Sequence, residues 1–400
     1  MFRDRYIALG ITGSIAAYKA ADLASKLTQA GALVDALMTE AATRFIAPLT
    51  LRSLTGRPVF LDMFDPGTEL AEEHVEVARR ADAVVVAPAS ATTIARLAQG
   101  LGDDMVTLTV LATTAPVLIA PAMDHQMFEN AATQANLATL AERGYLIVGP
   151  AEGRLASGRT GRGRLVDTET LLGAIKQALG QRGDLAGGHV VVSAGGTQEA
   201  IDPVRYVGNR SSGKMGYALA EAARDRGALV TLVTAPTALA CPYGVRLVPV
   251  RSAIEMRDAV ADACRSANAL IMAAAVADFQ PVDVAEHKIK KADRPGLTVE
   301  LAPTPDILSE VEGEFIRVGF KAESRDVLEN ARDMLRRKRL DLVVANDVTD
   351  PESGFSMDTN RVTIVDASGQ AEALPLLSKY DVAWRVLDRV VALLRERATL

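Results

Sequence analysis

Residues 6–38, YIALGITGSIAAYKAADLASKLTQAGALVDALM, decide the fold. Tyr6 to Ile11 is a short apolar run that closes on Gly10-Ile-Thr-Gly-Ser14. A helical pattern follows to about Ala30, Gly31 breaks it, and Ala32 to Met38 reads as a second buried strand. Strand, glycine turn, helix and strand make one βαβ unit. Similar apolar runs predict strands at Ala83 to Ala87, Pro116 to Ala120 and Tyr145 to Val148. Strands apolar on both faces and alternating with helices predict a parallel sheet covered on both sides.

Outward from there the pattern changes. EGRLASGRTGRGR, residues 152–164, is rich in Gly and Arg and predicts a loop. A short helix is expected from Glu169 to Leu179, and GQRGDLAGG reads as a linker. The alternation restarts at His189-Val-Val-Val-Ser-Ala-Gly-Gly-Thr197, with a helix from about Ser212 to Arg226 and a strand from Ala228 to Val233. More strands are expected at Ala269 to Ala274, Ile316 to Phe320, Asp341 to Ala345 and Arg361 to Val365. The reading is α/β: two doubly wound, mainly parallel-sheet domains, at 1–182 and 188–400, each binding its ligand beyond the carboxyl ends of its strands. GALVDALMT and GALVTLVTA stand at matching places in the halves, which fits a distant duplication or convergent βαβ grammar equally.

Composition narrows the class. A chain of 400 residues exceeds the ~250–300 at which a single core stops growing, so two domains are expected. Apolar content of 49% and charged content of 24% fit a soluble globular protein. A net charge of −6 gives no bulk basic field for nucleic acid. Cys241 and Cys264 make no disulfide framework, which fits a reducing, cytoplasmic setting. No segment approaches ~20 uninterrupted apolar residues, and the charged start leads directly into a strand, so neither a membrane span nor a signal peptide is expected.

Candidate sites cluster at the expected strand ends. In the first half, Gly13 and Ser14 lie at a strand-to-helix turn that can hold a phosphate, or can be a tight turn with Ser14 as N-cap. Ser90, in Pro88-Ala-Ser-Ala-Thr-Thr93, opens another helix after a strand. His74 has the titration range of a base near neutral pH, or is a solvated helix residue. Asp124, in Pro121-Ala-Met-Asp-His-Gln-Met-Phe128, either touches a ligand or belongs to a structured loop with Met123 and Met127 packed inward.

In the second half, Arg205, Asn209, Arg210 and Lys214 crowd Asp202-Pro-Val-Arg-Tyr-Val-Gly-Asn-Arg-Ser-Ser-Gly-Lys-Met-Gly216. Such a loop either cradles an anion or is a surface loop with incidental charges, and it lacks the P-loop order. Met272, Ala273 and Ala274 end a strand on small residues, and Asp278 follows. Lys288-Ile-Lys-Lys291 brings three lysines to a loop that either closes over a triphosphate or is a solvated face. Pro305-Asp-Ile-Leu308, Val318-Gly-Phe-Lys-Ala-Glu323 and Ala345-Asn-Asp347 complete the series.

The order GITGSIAAYK, MTEAA, His74, PAS and PAMxxxM resembles the flavin-dependent cysteine decarboxylases. With DPVRYVGNRSSGKMG, AAAVAD, KIKK and the later motifs, nearly the whole chain resembles the bifunctional phosphopantothenoylcysteine decarboxylase/phosphopantothenate–cysteine ligase family of coenzyme A synthesis. The resemblance implies a flavodoxin-like first domain and a Rossmann-like second one. It implies FMN on Gly13, Ser14, Thr39 and Ser90, with His74 as base and Asp124 and Ser157 at further catalytic positions. It implies that Mg2+ and CTP serve the second half. Phosphopantothenate would attack the α-phosphate, and cysteine would displace CMP from the acyl-cytidylate. Asn209 and Arg205 would hold the acyl carboxylate. Asp278, Phe320 and Pro305, Asp306, Ile307 and Leu308 would read the cytidine, while Lys288 and Lys338 bind phosphates. A cytoplasmic homo-oligomer of decarboxylase trimers and ligase dimers is implied too.

Four positions depart from that family's pattern. Asp124 stands where the family carries Asn, and Ser157 where it carries a Cys; Met334 replaces a lysine and Lys321 a small residue. The first pair leaves two readings of the first half: a working substitution, or a domain that binds flavin without turning over.

Overall fold

The computed structural model describes residues 1–64, 73–291, 296–323, 326–347 and 357–399, without the side chains of Asp347 and Thr399. These fall into two compact units, Met1–Leu179 and Gly180–Leu400.

In the first unit the strands are β1 (Tyr6–Ile11), β2 (Leu33–Met38), β3 (Val59–Phe60), β4 (Ala83–Ala89), β5 (Val117–Pro121) and β6 (Leu146–Ile147). They pair in parallel in the order β3-β2-β1-β4-β5-β6. The five strands from β2 to β6 follow the flavodoxin-like winding, and the two-residue β3 extends it at one edge. All of β4 is buried because helices cover both faces, so it reads AVVVAPA without alternation. Val84 and Val86 pack with Ile94, Leu97 and Val106 from the helices Ala91–Gln99 and Met105–Ala112.

The Gly- and Arg-rich stretch is not a loop. It forms an antiparallel hairpin of β7 (Ala151–Arg154) and β8 (Thr160–Arg164). Its glycines permit close docking rather than disorder. A Cβ on Gly163 would lie 2.3 Å from the Met123 carbonyl oxygen, and one on Gly161 would lie 2.7 Å from the His125 ring. The Met123 N–H donates to the Gly163 carbonyl at 2.9 Å.

The second unit carries β9 (His189–Ala194), the short pair β10 (Glu199–Ala200) and β11 (Tyr206–Val207), β12 (Leu229–Thr234), β13 (Arg246–Pro249) and β14 (Ala269–Met272). Next come β15 (Phe279–Pro281) paired with β16 (Leu301–Pro303), then β17 (Ile316–Glu323) and β18 (Leu342–Asp347). β19 (Thr359–Asn360), β20 (Val362–Asp366), β21 (Ala371–Ala373) and β22 (Leu377–Ser378) follow. The main sheet runs β13-β12-β9-β14-β17-β18-β20-β21. Its first six strands are parallel in Rossmann order, and β20 and β21 add antiparallel.

Period-two alternation divides its core. Val190, Val192, Val230 and Leu232 face the helices Lys214–Asp225 and Lys379–Thr399. Val191, Val233 and Leu270 face Ala253–Ala263 and Val327–Arg337. Residues 180–188 are strapped to this unit: the buried Arg226 guanidinium binds Asp184 at 2.6 Å and Asp388 at 2.8 Å. No helix among the described residues is long and apolar enough to cross a membrane.

Candidate active sites

In the first unit the carboxyl ends of β2, β1 and β4 bring three turns together. Buried Thr12 ties the turns after β1 and β4 together: its hydroxyl donates to the Pro88 carbonyl at 2.7 Å and accepts from the Ser90 N–H at 2.9 Å. Thr39 caps the helix Glu40–Thr43, and Ser90 caps Ala91–Gln99. Gly13 is required by packing, since a Cβ there would lie 2.6 Å from Ala41 Cβ. Ser14 is not the N-cap of the following helix. That position falls on Ala16, which offers no side-chain cap, while the Ser14 hydroxyl bonds Ala122 and the Ala16 N–H. The helix Ala17–Gln29 also has no acidic residue in its first turn, so the positive end of its dipole suits an anion.

Beside these turns is a cleft of about 550 Å3. Ser14, Lys19, Asp124, Arg154, Ser157 and Arg164 are among its lining residues. The docked hairpin carries Ser157 at its tip, and the Ser157 hydroxyl donates to Asp124 Oδ2 at 2.8 Å. Asp124 and Ser157, two of the four positions that depart from the resembled pattern, are therefore bonded to each other. Asp124 also caps the helix His125–Glu129 through Oδ1 and the Gln126 N–H. The Ser157 bond, then the Gln126 bond, hold its carboxyl below the usual carboxylate range, so it is ionised at neutral pH. Met127 does not pack inward; it is 50% exposed.

Lys19, which the sequence offered no reason to select, donates to the Leu165 carbonyl at 3.0 Å. Burial, reinforced by Arg164, lowers its pKa. His74, on the helix Glu73–Arg80, is outside the residues lining the cleft, as are Gly13, Thr39 and Ser90.

The second unit has a larger cleft, of about 650 Å3, beyond the carboxyl ends of β14 and β17. It brings together Asn209, Met272, Ala274, Asp278, Pro305, Asp306, Ile307, Leu308, Phe320 and Lys338. Both clefts have the volume of small-molecule sites. Ala273 lines a smaller adjoining pocket with Ser211, Lys214 and Lys379. Strand-end hydroxyls hold the small-residue segment: Ser193 accepts from the Ala274 N–H at 3.1 Å, and Thr197 from the Ala277 N–H at 2.9 Å. Asn209 crosses to the same segment, its Nδ2 donating to the Val276 carbonyl at 2.9 Å.

Lys338 Nζ binds Asp306 Oδ1 at 2.8 Å. Burial pushes the Asp306 carboxyl up, but Lys338 and Ser309 together outweigh it and the net shift is downward. Lys321 pairs with Glu323 at 2.9 Å and, with Arg337, also lines the cleft, which keeps cations there although Met334 is apolar and buried. Arg205 and Lys288 are outside the lining residues. Arg205 is instead bound to Asp202 and to the Ile289 carbonyl, and Lys288 is exposed beside it. Among the described residues no group of three or more His, Cys, Asp or Glu side chains is arranged to hold a metal ion.

Known proteins resemble this chain along its whole length. The Flavoprotein family matches residues 1–180, and the DNA/pantothenate metabolism flavoprotein C-terminal domain matches residues 185–394. The chain is 45% identical over 402 residues to the coenzyme A biosynthesis bifunctional protein CoaBC of Bacillus subtilis (strain 168), covering 99% of both. It is 47% identical over 389 residues to the protein of that name from Vibrio cholerae serotype O1, covering 96% of this chain and 97% of that one. A crystal structure of the C-terminal domain of a CoaBC protein matches at 39% identity and a TM-score of 0.46, over 98% of that chain and 53% of this one.

Proposed function

The chain belongs to the family of bifunctional coenzyme A biosynthesis proteins, enzymes that are both ligase and decarboxylase, and on that premise we propose how its residues divide the work. The second unit, Gly180–Leu400, joins 4'-phosphopantothenate to cysteine with CTP as the activating nucleotide. The first, Met1–Leu179, is a flavoprotein unit that takes FMN and decarboxylates the product to 4'-phosphopantetheine. The observation that carries the ligase reading is the convergence of Asn209, Asp278, residues 305–308, Phe320 and Lys338 on one cleft.

The first step forms a bond between a substrate carboxylate oxygen and the α-phosphorus of CTP and breaks the bond to pyrophosphate. Negative charge moves onto the leaving pyrophosphate, where Lys338 and Lys288 stabilise it. Asn209 holds the acyl carboxylate: an amide both donates and accepts, so it binds that group without a like charge. Asp278, Phe320 and the turn at 305–308 read the cytidine against the small residues at 272–274. The cysteine amine then attacks the acyl carbon, CMP leaves, and the amine releases a proton. Mg2+ keeps several waters and binds largely through substrate phosphates, so it enters with the triphosphate.

The uncapped helix at Ala17, with Gly13, Ser14, Thr39 and Ser90, fits the phosphate of FMN. Bound FMN supplies reversible thiol oxidation, which makes loss of CO2 feasible. Lys19, Arg154 and Arg164 outnumber Asp124 among the charges lining this cleft, so a substrate bearing carboxylate and phosphate still enters a cationic site. His74 is the base. Asp124 and Ser157 act as a bonded pair, the working substitution. The alternative, a domain that binds flavin without turnover, is not favoured, because likeness to bifunctional relatives extends through both units.

The protein works in the cytoplasm as a homo-oligomer, with decarboxylase trimers and ligase dimers. CTP-dependent pyrophosphate release in the presence of phosphopantothenate tests the ligase reading. Release that is independent of phosphopantothenate, or no release, refutes it.

A further inference from the structure

Asp202 is fully buried in the tip of the hairpin between β10 and β11, with 0% of its side chain exposed. Its Oδ1 accepts from the Val204 and Arg205 N–H groups, both at 2.8 Å, which is all the turn requires. Its Oδ2 reaches elsewhere. It accepts from Arg205 Nη1 at 2.9 Å and from the Ile289 N–H at 3.2 Å. Both terminal nitrogens of Arg205 then donate to the Ile289 carbonyl at 3.1 Å. Carboxylate and guanidinium thus grip the two sides of one residue, and the Ala285 N–H donates to Ile201 at 3.0 Å alongside. The gripped residue, Ile289, stands between Lys288 and Lys290.

A turn alone would be served by Asn or Ser. Burying a carboxylate is costly unless its oxygens are bonded, and beyond the turn and the Arg205 pair the remaining bonds fall on Ile289. We infer that Asp202, acting through Arg205 and the Ile289 backbone, is a positioning residue that fixes where Lys288 meets the phosphates. The inference rests on the reading of Lys288 given above. It assigns Arg205 to the lysine loop rather than to the acyl carboxylate.

The test uses the full-length protein. Asp202→Asn keeps an acceptor for the turn but turns a donor toward Arg205 and Ile289. Hydrogen exchange at residues 285–290 should accelerate. Pyrophosphate release should fall ~10-fold to ~100-fold, the scale of a catalytic group displaced by an ångström. In a Lys288→Gln background the same substitution should change the rate less than ~2-fold, since groups acting through one another are not additive. Arg205→Lys, whose single ammonium cannot span both partners, should show the same dependence on Lys288 and serves if Asp202→Asn fails to fold. Unchanged exchange, or penalties that multiply in the double variant, overturns the positioning role. A Lys288→Gln protein with normal pyrophosphate release overturns it together with the reading of Lys288.

Discussion

Lys338 and Asp306 provide a pair of substitutions with unequal consequences. They form one ion pair, 2.8 Å long, on the wall of the larger cleft, with side chains 25% and 45% exposed. If the pair were structural, removing either partner would cost a similar amount. If Lys338 serves the phosphates, its loss costs far more. Two unit charges ~4 Å apart interact by about 1 kcal/mol in water and about 4 kcal/mol at the effective dielectric near a protein surface. The partial exposure of Lys338 puts its effect between these limits. A value of about 2.7 kcal/mol corresponds to ~10²-fold in rate. Lys338→Gln should therefore lower kcat/KM for CTP by ~10²-fold, and it leaves the Asp306 carboxylate facing an incoming triphosphate. Asp306→Asn frees the ammonium but touches the turn that reads the cytidine, so its loss in kcat/KM should stay at least ~10-fold smaller than that of Lys338→Gln. The assay is continuous pyrophosphate detection with saturating phosphopantothenate and cysteine. Equal losses in both variants would refute the phosphate role and leave a structural ion pair.

Other substitutions test the remaining elements. Gly163→Ala, which drives a Cβ into the Met123 carbonyl, should destabilise the first unit by ~1–3 kcal/mol and expose residues 151–164 to proteolysis; unaltered stability would refute the docking argument. Asp124 has a depressed pKa, so its favourable bonds are present above the ordinary carboxylate value and are lost as pH falls through the lowered one. Ser157→Ala should accordingly shift the Asp124 titration, followed by NMR, to higher pH, and an unmoved titration would contradict the pairing. Burial pushes both thiols up, Cys264 to about 12, but only Cys241 is exposed. Native alkylation at mildly alkaline pH should label Cys241 and spare Cys264 until the chain unfolds, and early labelling of Cys264 would refute its burial.

Alternating buried runs and glycine turns made both sheets legible in the sequence, because a strand covered on two faces has no polar alternation to obscure it. The hairpin at 151–164 was not legible. Its glycines look like a loop signal, and the partner that explains them, the segment around Met123, is distant in sequence. The smaller site shows the same limit. Asp124 and Ser157 stand out one at a time, but their bond follows from the docking of that hairpin. Lys19 is hidden for a related reason, since its partner is the carbonyl of Leu165. Arg205 was conspicuous as a charge in a polar loop, yet its partners are a buried carboxylate three residues away and a remote backbone carbonyl.

If both units turn over in succession, a single reaction mixture carries the first substrate through to the final thiol. The most direct measurement supplies purified protein with phosphopantothenate, cysteine and CTP, and follows the products by mass spectrometry. The expected products are 4'-phosphopantetheine, CO2, CMP and pyrophosphate. Accumulation of the cysteine amide without loss of CO2 would contradict that succession, and would show that the bonded pair of Asp124 and Ser157 is not a working substitution.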